Sequence, residues 1–365
     1  MRKVIRWNEP LFGEEELVEI KEVLKNNYVN EGPKTRELED ALKEYLNVKY
    51  IIITTNATAA LFLALKAESI KRDIKDFEAI IPDFTMFATA TAVNWAGGNP
   101  VFVDVNKEDL TIDISKIEER ITDKTLAIIP VHVLGRSANM EDILRIAKKN
   151  NLLVIEDAAG ALGSKCQGKF LGTLGDIGCF SLQSNKIITS GQGGIIALND
   201  DKTYEIIRRL RDFGRFSNKE FLHEKIGYNL KFSDLAAALA LAQFKKINQR
   251  REILVQQFTR YKENLSKVPQ IKFFSRDTEE IPLWIDVEVS LRKELKLFLE
   301  TNNIFCRDAW PALHKNPPYK NSGTDEDYPV SNYASENVLW LPNGPALINE
   351  DIDFICSKIE EFYLK

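Results

Sequence analysis

Cysteine is scarce in this chain of 365 residues: four occur, Cys166, Cys179, Cys306 and Cys356, and no two share a C-x-x-C spacing. That argues against a disulfide framework and a cysteine zinc site, and the chain reads as one for a reducing cytoplasm. Histidine is scarcer still. His132, His223 and His314 show no paired ligand spacing, so no structural metal is expected. No apolar run approaches the roughly 20 residues of a membrane span. Met1-Arg2-Lys3 leads straight into polar sequence, without the apolar core of a secretory leader. Positive charge is not in excess either. A formal net charge of −5 argues against a phosphate-backbone surface, so neither membrane nor nucleic acid is expected as a partner.

What remains is the profile of a globular protein, 44% hydrophobic and 28% charged, long enough for two cores. The chain is organised around residues 152–198. An apolar run, Leu152 to Ile155, ends in Glu156 and Asp157. Some way on, a lone lysine, Lys186, lies between a Ser-Leu-Gln-Ser-Asn tract and the turn Gly191-Gln192-Gly193-Gly194. A second apolar run, Ile195 to Leu198, follows. This reads as strand, acid at its carboxyl end, irregular loop, lysine, tight turn, strand. Open α/β sheets bind ligands beyond the carboxyl ends of their strands, so acid and lysine can share one crevice. Singly, Asp157 is an ordinary cap and Lys186 an ordinary surface lysine. As a pair they suit pyridoxal phosphate, which needs an amine to condense with its aldehyde and an anion to keep its ring nitrogen protonated.

Residues 13–26 place Leu17, Ile20, Val23 and Leu24 at helical spacing with acids in the first turn, predicting an amphipathic helix. Tyr28 to Gly32 break it, and Pro33 opens the next helix. Tyr50 to Ile53 form a strand, and Thr54 to Thr58 then lead into a helix over 59–65. A strand, a small polar turn and a helix start make an anion site, because the first helical amides have no internal partner. Strand–helix units continue through Ala79–Pro82, Pro100–Val105 and Thr125–Val131, which implies a mainly parallel sheet with helices on both faces. His132 follows the last of these strands, where it either lines the cleft or serves as a bonded structural histidine. Gly163 to Lys169 fit G-x-x-x-x-G-K, but Phe170 stands where a magnesium-binding hydroxyl is needed and no helix follows, so a nucleotide-binding P-loop is rejected. After a long helical pattern through Arg250, Phe258 and Leu265 the texture changes to short strands around a helix at 292–302. A large α/β domain over 1–245 and a smaller α+β domain over 246–365 are expected.

The segments EDAAGALGS, GDIGCFS and NKIITSGQGG together resemble the pyridoxal-phosphate-dependent nucleotide-sugar aminotransferases of the DegT/StrS group. The resemblance covers nearly the whole chain. It implies the aspartate-aminotransferase fold, fold type I, with a mixed, mainly parallel sheet, and a homodimer with shared active sites. Lys186 would carry pyridoxal 5′-phosphate and Asp157 would face its ring nitrogen. Ala57, Thr58 and Ser181 would hold the phosphate with Asn229 of the neighbouring subunit. Met86, Phe84 or Phe87 would stack on the ring; the family's usual aromatic position is Met86 here. Tyr28, Asn30, Arg307 and His314 are the candidates for substrate contacts. Lys231 replaces a usual arginine, Gly160 a usual glutamine and Gln192 a usual glutamate. The motif around Lys186 is most similar to enzymes that aminate 4-keto-6-deoxy sugar nucleotides with L-glutamate, the perosamine synthases in particular. Amination at C3, a sugar dehydratase of the same fold and a non-catalytic ligand-binding protein are the alternatives. Dehydratases of this type replace the lysine with histidine.

Overall fold

The computed structural model describes residues 3–215, 222–223 and 225–364. In chain order the first elements are α1 (Glu14–Lys25), α2 (Pro33–Leu46), β1 (Tyr50–Thr54), α3 (Ala57–Arg72), β2 (Glu78–Pro82) and α4 (Phe87–Ala96). There follow β3 (Asn99–Val103), β4 (Thr125–Ile128), α5 (Met140–Lys149), β5 (Leu153–Asp157) and a short hairpin, β6 (Lys165–Cys166) with β7 (Lys169–Phe170). Next come β8 (Ile177–Ser181), β9 (Gly194–Leu198), α6 (Asp201–Arg211), α7 (Asp234–Phe244) and α8 (Ile247–Asn264). The last part holds β10 (Ile271–Phe273), β11 (Ile285–Val289), α9 (Arg292–Thr301), β12 (Arg307–Asp308), α10 (Pro329–Asn337), β13 (Val338–Leu341) and α11 (Asn349–Tyr363).

Seven strands form the large sheet in the order β1-β9-β8-β5-β4-β2-β3. Only β9 runs against its neighbours, β1 and β8; the other pairs are parallel. All six remaining strands therefore end on one edge of the sheet. Their sequences explain their place: runs such as Tyr-Ile-Ile-Ile-Thr and Gly-Ile-Ile-Ala-Leu are β-branched and buried along most of their length, as strands covered on both faces must be. Hydrophobic clusters lie on both faces. The smaller antiparallel sheet, β10-β11-β13-β12, has its own core under α9 and α11. Ile5 bridges to Ile304 and Asn8 to Asn343, so the start of the chain is tied to this part. The chain has the mixed α/β fold expected of the aspartate-aminotransferase type.

Two sequence expectations change. Helix α1 forms, but it buries Val23 and Glu16 while Leu17, Val18 and Leu24 stay exposed. The Glu16 carboxylate accepts hydrogen bonds from Gln243 (2.6 Å), Lys246 (2.5 Å) and its own N-cap amide at Gly13 (2.7 Å), which turns that face inward against α7. The loop expected between the acid and the lysine contains β8, wedged between β5 and β9. Its Ile-Gly-Cys-Phe-Ser sequence shows no alternation because all five residues are buried. Gly178 is required there: a Cβ would sit 1.9 Å from the Gly172 carbonyl oxygen. The rejected P-loop segment is the β6–β7 hairpin, with no helix after it.

Candidate active site

The common carboxyl edge of the strands opens into a cavity of about 350 Å³. Each wall segment follows a strand: Asn56–Thr58 after β1, Thr85–Met86 after β2, Val131–Leu134 after β4, Asp157–Gly160 from β5 and Ser181–Lys186 from β8. Trp284, Arg307 and Trp310 close it from the smaller part. Lys186 and Asp157, with β6, β7 and β8 between them in the chain, share this one space.

The two adjacent acids are sorted by the alternation of strand side chains. Glu156 points away from the cavity and is fully buried. Its carboxylate accepts the amides of Gly172 (2.7 Å), Leu174 (2.7 Å) and Gly175 (2.6 Å), and meets Nε2 of His132 at 2.8 Å. The Ala138 amide donates to Nδ1 of the same ring at 3.2 Å, so Nε2 carries the proton. Asp157 points into the cavity. The Thr89 hydroxyl donates to its Oδ2 (2.7 Å) and the Ala159 amide to its Oδ1 (3.1 Å). Burial pushes its pKa up, against the pull of those donors, Lys186 and His132.

Lys186 is only partly covered as a residue, yet its amine end is enclosed. Burial lowers its pKa to about 8, with Asp157 acting in the opposite direction. A buried lysine so shifted is neutral often enough near pH 8 to act as nucleophile and base. Its Nζ lies 5.1 Å from the Trp284 ring centre. Trp284 belongs to a cluster with Trp7 (4.9 Å), Trp340 (4.6 Å) and Trp310 (5.9 Å).

Helix α3 aims its start at the cavity. Asn56 caps it by accepting the Ala59 amide at 2.8 Å, and the amides of Ala57 and Thr58 precede any intrahelical acceptor. The turn sits hard against β9: a Cβ on Gly194 would lie 2.2 Å from the Asn56 carbonyl oxygen. Ser181, the last residue of β8, adds a hydroxyl. These residues fit pyridoxal 5′-phosphate on the donor set present. Asp157 has only neutral hydrogen-bond donors among the described residues, which leaves a buried carboxylate matched to a cationic ring N–H. A free helix start with two hydroxyls matches a phosphate, and an enclosed amine matches an aldehyde.

Lys186, Asp157, Ala57, Thr58, Met86, Ser181 and Arg307 all line this cavity. Of the three stacking candidates only Met86 does. Phe84 is buried against Trp310 (5.8 Å) and Phe87 packs on Tyr319 (5.5 Å). His314, expected among the substrate contacts, does not line this cavity. It is buried, its Nδ1 meets Asp83 at 2.7 Å and its Nε2 meets Asp325 at 2.9 Å, so both ring nitrogens are spent on fixing the proline-rich loop. Tyr28 and Asn30 are also absent from this cavity. They line a separate polar cleft of about 630 Å³ with Arg36, Arg208, Arg211 and Lys231, because α1 and α2 carry their turn to α6. Asn229 is exposed and bridges to Asp212 beside that cleft. His132 both lines the cavity and is bonded, so the two roles open to it coincide. Sequence reading missed Trp284, Trp95 and Asn185. No local pattern ties Trp284 to the lysine loop, although its Nε1 donates to the Asn185 carbonyl, 99 positions away, at 3.1 Å.

The model of the DegT/DnrJ/EryC1/StrS aminotransferase family matches residues 10–360. The chain is 34% identical over 346 residues to GDP-perosamine synthase of Escherichia coli O157:H7, covering 93% of this chain and 91% of that protein. Among solved structures, a DegT DnrJ EryC1 StrS aminotransferase from Brucella abortus superposes with a TM-score of 0.88 at 28% identity over 96% of both chains. DesV of S. venezuelae shares the fold with a TM-score of 0.93 at 24% identity over the full length of both. With the lysine, the carboxylate and the helix start converging as they do, the chain belongs to the DegT/DnrJ/EryC1/StrS aminotransferase family of pyridoxal-phosphate-dependent enzymes.

Proposed function

We propose that this enzyme moves an amino group from L-glutamate to C4 of a nucleotide-linked 4-keto-6-deoxy sugar, giving a 4-amino-4,6-dideoxy sugar nucleotide. The observation that carries the reading is the single cavity shared by Lys186, Asp157 and the start of α3. Similarity to GDP-perosamine synthase over nine-tenths of the chain supports the choice of C4. Lysine at 186, where histidine would favour dehydration, speaks for transamination.

When bound, pyridoxal phosphate supplies an electron-withdrawing ring that takes up the pair released at the donor's α-carbon. The chain's residues do the rest. Lys186 would hold the cofactor through its amine, and Nζ would take the proton from the donor's α-carbon. Its lowered pKa makes that transfer feasible near pH 8. Asp157 keeps a proton on the ring nitrogen. The Ala57 and Thr58 amides and the Thr58 and Ser181 hydroxyls would hold the phosphate, and Met86, which lines the same cavity, would offer its polarizable side chain to the ring. Arg307, its guanidinium 5.0 Å from the Trp7 ring centre, offers a cation at the mouth to the anionic substrate. Tyr28, Asn30 and Asn229 face a second copy of the chain and complete its site in a cytoplasmic homodimer.

A mass-spectrometric screen of keto-sugar nucleotides with L-glutamate tests the reading. Exclusive conversion of 3-keto substrates would replace C4 by C3, and water loss without nitrogen gain would make the enzyme a dehydratase.

A further inference from the structure

Trp284 is buried to 3% exposure, immediately before β11, and touches the lysine loop in two ways. Its Nε1 donates to the carbonyl of Asn185 at 3.1 Å, which fixes the peptide plane leading into Lys186. Its ring faces the Lys186 amine at 5.1 Å, within the range of a cation–π contact. The ring itself cannot drift, because Trp7, Trp310 and Trp340 pack around it at 4.9, 5.9 and 4.6 Å. We infer that Trp284 is the positioning residue for the catalytic lysine, holding its backbone through the N–H and its ammonium through the ring face.

The alternative is a core tryptophan that merely excludes water, and the two roles move the lysine in opposite directions. Burial drives the amine toward its neutral form. The charged or titratable groups that face it are Asp157 at the end of β5, His132 after β4 and Arg307 on β12. Asp157 favours the ammonium, and a π face does the same, whereas a wall that only dries the site opposes it. Removing the ring while keeping the wall apolar therefore lowers the lysine's titration midpoint if the face contact is real. Admitting water raises it.

The test is acetylation of Lys186 in cofactor-free protein with trace acetic anhydride, read on the lysine peptide by mass spectrometry from neutral to alkaline pH. The parent should titrate near pH 8. Trp284→Leu should titrate about half a unit lower, and Trp284→Phe, which keeps a ring face, should recover most of that shift. A Leu midpoint that rises or stays put, in protein whose unfolding curve matches the parent's, overturns the inference. If the leucine variant does not fold, Trp284→Met fills the space with a flexible side chain and carries the same comparison. The N–H is read separately: Trp284→Phe should lower kcat about tenfold, as expected for one lost hydrogen bond, with KM unchanged. An unchanged kcat would strike out that half. The kinetic arm rests on the proposed transamination, but the acetylation arm needs neither cofactor nor substrate, so the two can fail independently.

Discussion

Glu156 and Asp157 are neighbours in sequence and chemically alike, and exchanging either for its amide should produce opposite phenotypes. Glutamine at 156 keeps the shape of the side chain but must turn its NH2 toward one pair of donors. Oε1 serves the Leu174 and Gly175 amides, and Oε2 serves the Gly172 amide and His132. Either orientation leaves two buried N–H groups facing another donor, in a place water does not reach. At about 1–3 kcal/mol for each stranded group, the loss is about 4 kcal/mol, a large part of a typical total stability of 5–15 kcal/mol. Asparagine at 157 strands nothing. Its oxygen can still accept the Ala159 amide, and the Thr89 hydroxyl can reverse to accept from the NH2. Removing a buried charge whose pKa is already raised also relieves a cost. Its stability should stay within about 1 kcal/mol of the parent. Catalysis reverses the order: losing two to three pKa units at the ring nitrogen corresponds to roughly 3–4 kcal/mol, so Asp157→Asn should slow each half-reaction by roughly a hundred- to a thousandfold. Urea unfolding of cofactor-free protein and stopped-flow half-reactions measure the two quantities. Equal destabilisation by both variants, or unchanged half-reaction rates in Asp157→Asn, would refute the division of labour.

Lys186→Ala should fold normally by circular dichroism yet show no turnover without added amine and no borohydride-fixed cofactor on its peptide; near-normal turnover would end its assignment. Gly194→Ala should push the Asn56–Ala57 turn out of place. We expect about 1–3 kcal/mol of overpacking and at least tenfold weaker cofactor binding by fluorescence titration; parental affinity would show that this turn does not hold the phosphate. Asn229→Asp should be inactive through repulsion between carboxylate and phosphate. Mixed with Lys186→Ala chains it should form heterodimers with one repaired site, and an absence of regained activity despite subunit exchange seen by native mass spectrometry would remove Asn229 from the partner's site.

Local sequence determined a good deal of this protein. Short β-branched runs such as Tyr50–Ile53 and Ile195–Leu198, bounded by turn residues, read as buried strands and are strands in the fold. The polar turn Thr54 to Thr58 before an alanine-rich stretch reads as a helix start, which Asn56 caps, and the order of strand, acid, loop, lysine, glycine turn points to the one cavity that Asp157 and Lys186 share. The strand β8 escaped because a segment buried on both faces has no period to read. The inward face of α1 was misjudged because the burial of Glu16 depends on Gln243 and Lys246, far along the chain. Only tertiary structure could separate His314 from Arg307, two candidates that lie close together in the sequence. Asp83 and Asp325 claim both nitrogens of the histidine, while the arginine is left at the cavity mouth. Trp284 was invisible for the same reason. Its partners are the lysine and three distant tryptophans, and a contact made by packing leaves no spacing in the sequence that records it.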